Sequence, residues 1–169
     1  VYGRVPADRL PIAEDCPFHP ASPYAISKVG ADLVAQHYAE AYGMKIMITR
    51  MGTHTGPRRG DVFAESTFAK QLAMIEAGII EGPVMVGNLD SMRTIADVRD
   101  AVRGYHMLLT INPQPGQVYN VAGSHVCTVR EVLQHLASLI NGGSFLKYRE
   151  DPARMRPIDA DNQVFNCDK

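Results

Sequence analysis

The chain has 169 residues, with 17 Lys and Arg against 18 Asp and Glu, a formal net charge of −1, and 46% apolar residues. That is one domain's length, enough to bury roughly 70% of the unfolded surface, and it lacks the cationic excess that a nucleic-acid partner requires. No apolar run reaches the roughly 18 residues that span a bilayer, and the opening Val1-Tyr2-Gly3-Arg4 carries no Met, charged n-region or apolar h-region, so neither a membrane partner nor a secretory signal is expected.

Residues 5–21 contain Pro6, Pro11, Pro17 and Pro20. Each removes a backbone donor and disfavours helix before it, which predicts an extended surface loop. Ser22-Pro23 reads as an N-cap followed by proline at the first helical position. The helix it opens runs to about Tyr42 and stops at Gly43. Its apolar stripe is Ile26, Val29, Leu33 and Ala41, with Ala25, Val34 and Tyr38 beside it. Lys45–Met51 is a short apolar run with β-branched residues, read as a buried strand. Gly52–Gly60 is read as a loop, and Val62–Ala77 as a second helix ending at Gly78. Pro83–Gly87 is a second short strand, and Thr94-Ile95-Ala96 a strand fragment. Asp97 caps a third helix, about Val98–Leu109, closed by the Asn112-Pro113 and Pro115-Gly116 turns. Gln117–Val121 is a strand. Thr128 caps a fourth helix, Val129–Ile140, with Glu131 as capping-box partner, and Asn141-Gly142-Gly143 ends it. Phe145–Tyr148 is a last short strand before a polar tail.

Strands and helices alternate, so the expected class is α/β with a mostly parallel sheet. No strand–GxxGxxG–helix unit is present, and the chain opens on a loop rather than on a first strand. These residues therefore read as the later part of a larger α/β protein. The cysteines Cys16, Cys127 and Cys167 are odd in number and show no CxxC spacing, which predicts free thiols without a chemical role, no disulfide framework and a cytoplasmic setting. The six His are scattered, so no metal is expected.

Tyr24 and Lys28 lie four apart on the first helix and share a face one turn from its N-terminus. A phenol titrates near about 10 and is a poor acid or base at neutral pH. A neighbouring ammonium and the positive helix end both favour the phenolate, which makes the pair a candidate proton relay. The spacing alone is weak, because a packed Tyr beside a solvated Lys gives the same pattern.

The surrounding residues are more specific. Ser22-Pro23-Tyr24-Ala25-Ile26-Ser27-Lys28 resembles the SPYAxSK segment of extended short-chain dehydrogenases that act on nucleotide sugars. Val1-Tyr2-Gly3 resembles the end of their VYG strand, and residues 50–63 their RxFNHTGPRRGDVF loop. Val86-Gly87-Asn88-Leu89-Asp90-Ser91-Met92-Arg93 with Asp97-Val98-Arg99-Asp100 is similar to VGNLDSxRD…DVRD. Residues 118–121 resemble the VYNV strand, and residues 151–157 the DPARMRP segment. Together these cover almost the whole chain and place it nearest the GDP-mannose 4,6-dehydratase group, with GDP-4-keto-6-deoxymannose reductases next.

The resemblance implies a partial Rossmann-like parallel sheet with the smaller C-terminal substrate-binding part. Residues 1–169 would form the C-terminal portion of one domain that binds NAD(P) and a nucleotide sugar. The Gly-rich dinucleotide-binding half would be absent, together with the family's catalytic Ser/Thr and general-base Glu, which lie just before the position of Val1. The resemblance further implies Tyr24 as catalytic acid/base, with Lys28 its partner on the nicotinamide ribose. His54 and Arg59 would touch NADP, with NAD as the alternative cofactor, and Thr53, Phe63, Arg93 and Arg156 would touch the GDP-sugar. Arginine beside a diphosphate fits physically, because its planar fork offers paired donors to phosphate oxygens. The bland readings are an exposed Arg58-Arg59 pair, a surface pair of Arg93 with Asp97, a solvated Arg156 and a loop histidine at position 54. The family chemistry oxidises the sugar at C4 while the tyrosine takes the hydroxyl proton. Loss of the C5 proton and of water from C6 follows, and reduction at C6 completes GDP-4-keto-6-deoxymannose. A reductase would use the same Tyr/Lys pair on a 4-keto group, another NDP-sugar epimerase or dehydratase is an equal alternative, and a catalytically inert fragment or binding module is a further one. Two positions depart from the pattern: Gly52-Thr53 replaces Phe-Asn, and Thr94 replaces the Asp after the arginine. Half of an α/β sheet would leave apolar surface exposed, so homo-oligomerisation or association with the missing N-terminal segment is expected.

Overall fold

In the computed structural model, residues 1–111, 113–140, 147–158, 160 and 162–169 are described. Four α-helices alternate with eight short strands: α1 Pro23–Tyr42, β1 Ile48–Met51, β2 Thr53–Thr55, α2 Ala64–Glu76, β3 Val84–Val86, β4 Met92–Asp97, α3 Val98–Thr110, β5 Val118–Val121, β6 His125–Thr128, α4 Val129–Ser138, β7 Tyr148–Glu150 and β8 Asn162–Gln163. β1 pairs with β5, β2 with β4, β3 with β7 and β4 with β8, all parallel; β4 with β6 is antiparallel. The α/β class with mostly parallel pairing is therefore observed.

Local chemistry explains the helix ends. The Ser22 side chain accepts the Ala25 N–H at 3.1 Å, Pro23 opens α1, and Gly43 closes it in the left-handed region at φ 62°. Asp97 caps α3 by accepting the Arg99 N–H, and Thr128 and Glu131 form the expected reciprocal box at α4.

Several expectations are corrected. The proline-rich stretch 5–21 contains a 3-10 turn at Ala7–Arg9 and is not wholly superficial. Ile12 and Cys16 are buried, and Ile12 bridges to Phe165 in the tail. On α1 most of the apolar stripe is exposed (Ile26, Leu33, Val34, Tyr38 and Ala41), Ala25 and Val29 are half-buried, and Asp32 is the buried residue. The reason is that the inward side of α1 carries Asp32, paired with Arg50 of β1, beside half-buried Ala25, Val29, Ala35, Gln36 and Ala39. The stretch read as a loop from Gly52 contains β2, because its backbone finds a ladder partner in β4. α2 starts at Ala64 after Phe63, which offers no side-chain cap. Thr94–Ala96 extends to the whole of β4, and β6 and β8 were not foreseen. α4 ends at Ser138, and β7 begins at Tyr148, the last residue of the stretch expected as a strand. Asn112, the 141–143 stop and Phe145 lie outside the described residues.

Two apolar cores hold these elements. Phe68 and Leu72 of α2, Val84 and Val86 of β3, Leu89, and Leu133 and Ala137 of α4 form one. Tyr2, Ile12 and Cys16, flanked by Phe18 and Phe165, form the other. Each fully buried Leu, Val or Phe contributes about 1.5–3 kcal/mol relative to exposure.

Candidate functional site

The cap at Ser22 fixes the first turn of α1 and with it Tyr24 and Lys28. The Lys28 Nζ stands 5.4 Å from the Tyr24 ring centroid, within cation–π reach. Tyr24 is 72% exposed and Lys28 is exposed as well. Phenol and ammonium thus share one side of the helix and open to solvent. Their donors and acceptors suit a ribose hydroxyl and the edge of a planar ring, so these residues fit the nicotinamide-ribose end of the implied dinucleotide. These residues include no Gly-rich helix start of the kind that holds a pyrophosphate.

The loop after β2 separates the arginine pair. Arg58 adopts a left-handed φ of 72°, rare for a residue with a side chain, and is exposed. That turn sends Arg59 inward, where its guanidinium stacks on Phe63 at 3.8 Å and its Nη1 donates to the His54 carbonyl. The Arg59 Nε lies 3.9 Å from Glu65 Oε2 and is buried without a hydrogen-bond partner among the described residues. His54 Nδ1 is 3.3 Å from the Gly52 carbonyl. His54, Arg59 and Phe63 are therefore brought together. Thr53 pairs with Ile95, so the two-residue period of β4 places Thr53 and Arg93 on one face.

Arg93 Nη1 donates to the Met92 and Ala160 carbonyls at 2.8 and 2.9 Å. Asp97 is paired with Arg99 at 2.6 Å rather than with Arg93. The Arg99 side chain, then its backbone N–H, holds the Asp97 carboxyl far below the usual carboxylate range. Where β3 ends, a Cβ built on Gly87 would stand 2.8 Å from the Arg154 carbonyl oxygen. Only glycine lets the 3-10 turn Pro152–Arg154 seat there, with the Asp151 N–H bonded to Val86 O. Arg156 follows that turn and is exposed, so the GNLD and DPARMRP segments meet. Arg130 braces them: Nη2 donates to Asp90 at 2.8 Å and Nη1 to the Tyr148 hydroxyl at 2.7 Å.

Sequence reasoning missed a buried polar network. Arg50 grips Asp32 through two bonds, Nε to Oδ2 at 2.8 Å and Nη2 to Oδ1 at 3.1 Å, with both side chains almost wholly buried. Its Nη1 donates to the Tyr2 hydroxyl and the Glu14 carbonyl, and the Tyr2 hydroxyl donates to Asn120 Oδ1 at 2.7 Å. Burial works against the Arg50 charge, but the bonds to Asp32 and Tyr2 outweigh it and raise the guanidinium pKa. The available signal was an arginine inside the apolar run Lys45–Met51, since a charge in a buried strand demands a partner.

A cavity of about 410 Å³ lies between α2, α4 and the β2–β4–β6 sheet, lined by Thr55, Pro57, Ile95, His125, Cys127 and Glu131 among others. None of the predicted site residues lines it. Burial, then the carboxylates of Glu131 and Glu65, pushes the Cys127 thiol up. Among the described residues the cysteines are free, no cluster of three His, Cys, Asp or Glu could hold a metal ion, and no helix is long and apolar enough to cross a membrane.

A profile for the family described as GDP-mannose 4,6 dehydratase matches residues 1–169. The chain is 34% identical over 156 residues to a GDP-6-deoxy-D-mannose reductase from Pseudomonas aeruginosa, covering 92% of this chain and 50% of that protein. It is 34% identical over 134 residues to a GDP-mannose 4,6-dehydratase from Yersinia enterocolitica, covering 79% and 35%. Among solved structures it is similar to RMD from Pseudomonas aeruginosa complexed with NADPH (TM-score 0.85, 28% identity, 99% of this chain and 54% of that one). A UDP-glucose 4-epimerase from Thermus thermophilus complexed with NAD is also similar (TM-score 0.77, 27% identity, 98% and 52%). The chain spans half or less of the length of these curated relatives.

Proposed function

The chain belongs to the GDP-mannose 4,6-dehydratase family, and from that membership we propose that it is the C-terminal portion of an NADP-dependent enzyme that dehydrates GDP-mannose to GDP-4-keto-6-deoxymannose. The observation that carries the reading is the Lys28 ammonium over the ring of an exposed Tyr24, on the first turn of a capped helix. A bound nicotinamide would supply reversible oxidation and reduction of the sugar. Tyr24 accepts the hydroxyl proton at C4, which stays a ketone in the product, and Lys28 holds the ribose and favours the phenolate. Arg59 and His54 border the cofactor. Thr53 and Phe63 lie on the sugar side, and Arg93 and Arg156 clamp the GDP phosphates.

A second reading, reduction of a 4-keto-6-deoxy GDP-sugar, draws support from the 34% identity to the Pseudomonas aeruginosa reductase. Both readings use the same tyrosine and lysine. They separate by product: a chain completed by its upstream half releases a 4-keto sugar from GDP-mannose in one case and consumes such a sugar in the other.

The direct test is titration of the 169-residue chain with NADPH, followed by fluorescence, and with GDP, followed by calorimetry. Weak NADPH binding is expected, weakened further by Lys28→Met, while GDP binding is left unchanged by that substitution and reduced by Arg93→Gln. No GDP-4-keto-6-deoxymannose should form from GDP-mannose, since these residues supply neither the pyrophosphate-binding turn nor the general-base Glu. NADPH affinity that is insensitive to Lys28→Met would overturn the assignment of that residue.

A further inference from the structure

Asp32 stands one turn beyond Lys28, which stands one turn beyond Tyr24. Successive residues four apart on a helix are offset by about 40° around its axis, so the stripe passes from exposed Tyr24 and Lys28 to buried Asp32. The guanidinium that meets Asp32 belongs to β1, two residues before the chain reaches Gly52 and β2. We infer that Arg50 is a positioning residue: through its two-point grip on Asp32 it fixes both the rotation and the height of α1 on β1, and so sets where Tyr24 and Lys28 stand relative to Thr53 and His54.

Three observations favour this over a purely stabilising pair. The contact is bidentate, which restrains rotation and sliding together. The guanidinium is held in place, because its Nη1 is taken by Tyr2 and Glu14 and its Cζ lies 4.5 Å from the Phe18 ring centroid. An ion pair this deeply buried is an inefficient way to gain stability, since apolar residues of similar volume commonly match or exceed it. What the pair provides and a methionine pair does not is a single setting of the helix.

The inference rests on the assignment of Tyr24 and Lys28 to the nicotinamide end. The test compares the wild-type chain with the double variant Asp32→Met/Arg50→Met, which keeps the packing, and with Arg50→Lys, which keeps the charge but not the fork. NADPH affinity, melting temperature and amide hydrogen exchange are read for each. The double variant should melt close to wild type yet bind NADPH about tenfold more weakly. Amides of α1 and β1 should exchange at least about tenfold faster, while those of α2 and α4 keep wild-type protection. Arg50→Lys should share both losses; if the double variant does not fold, Arg50→Lys alone decides. Wild-type NADPH affinity together with wild-type α1 exchange in a folded variant would overturn the inference. If the wild-type chain shows no NADPH binding, the Tyr24/Lys28 assignment fails on its own, and unchanged exchange in α1 would still overturn the positioning role.

Discussion

Arg50 and Asp32 show how differently two ion pairs of nearly equal length behave. The Lys70–Asp61 pair is 2.7 Å long with both side chains more than half exposed, whereas Arg50–Asp32 is 2.8 Å long with side chains 6% and 5% exposed. Removing one partner of the buried pair strands a charge without water. Asp32→Ala is therefore expected to destabilise the chain by about 3–5 kcal/mol in urea titration. Lys70→Gln should leave the melting temperature unchanged. At this scale the sequence was legible where chemistry is local. The four-residue spacing of Tyr24 and Lys28 is enough to put them on one side of a helix, and the structure has them there. It was not legible where backbone conformation decides. Nothing in Arg58-Arg59 announces that the first residue takes a left-handed φ and the second turns onto Phe63.

Helices were more readable than strands. Ser22, Asp97 and Thr128 with Glu131 all cap as read, because each cap needs only a side chain and the next few N–H groups. β2, β6 and β8 are two to four residues long and carry no alternation that could be recognised; only partners distant in the chain make them strands. The caps make two predictions. Thr128→Ala should lower stability by about 1 kcal/mol, read as a shift in the urea midpoint. The carboxyls of Asp97 and Glu131 are both held low, the first by the Arg99 side chain and N–H, the second by the Thr128 N–H and hydroxyl. A carboxyl with a depressed folded pKa stabilises fully above its ordinary value, and loses that contribution as pH falls through the depressed one. First-turn amides of α3 and α4 should therefore stay protected down to about pH 4 and lose protection progressively below it, measured by exchange across an acid series.

For the molecule as a whole, the alternation of strands and helices was enough to give the α/β class and parallel pairing. How the chain divides into cores was hidden. The apolar stripe of α1 is largely exposed and the helix's buried residue is a carboxylate, so hydrophobic periodicity did not mark the buried side. The α2–β3–α4 core and the Tyr2–Ile12–Cys16 core share no buried residue. Leu133→Ala should cost about 2–5 kcal/mol, and hydrogen exchange should show the loosening concentrated in α2, β3 and α4 while residues around Ile12 keep their protection.

The Tyr2–Ile12–Cys16 core is closed by the far end of the polypeptide. Ile12 N–H bonds to Val164 O, Asn166 N–H bonds back to Ile12 O, and Phe165 lies 6.0 Å from Tyr2, ring centroid to ring centroid. A protease cut just before Phe165 would thus do its damage around Ile12. The Tyr2–Cys16 stretch would lose its lid, and one cleavage would soon open a second, distant segment to attack.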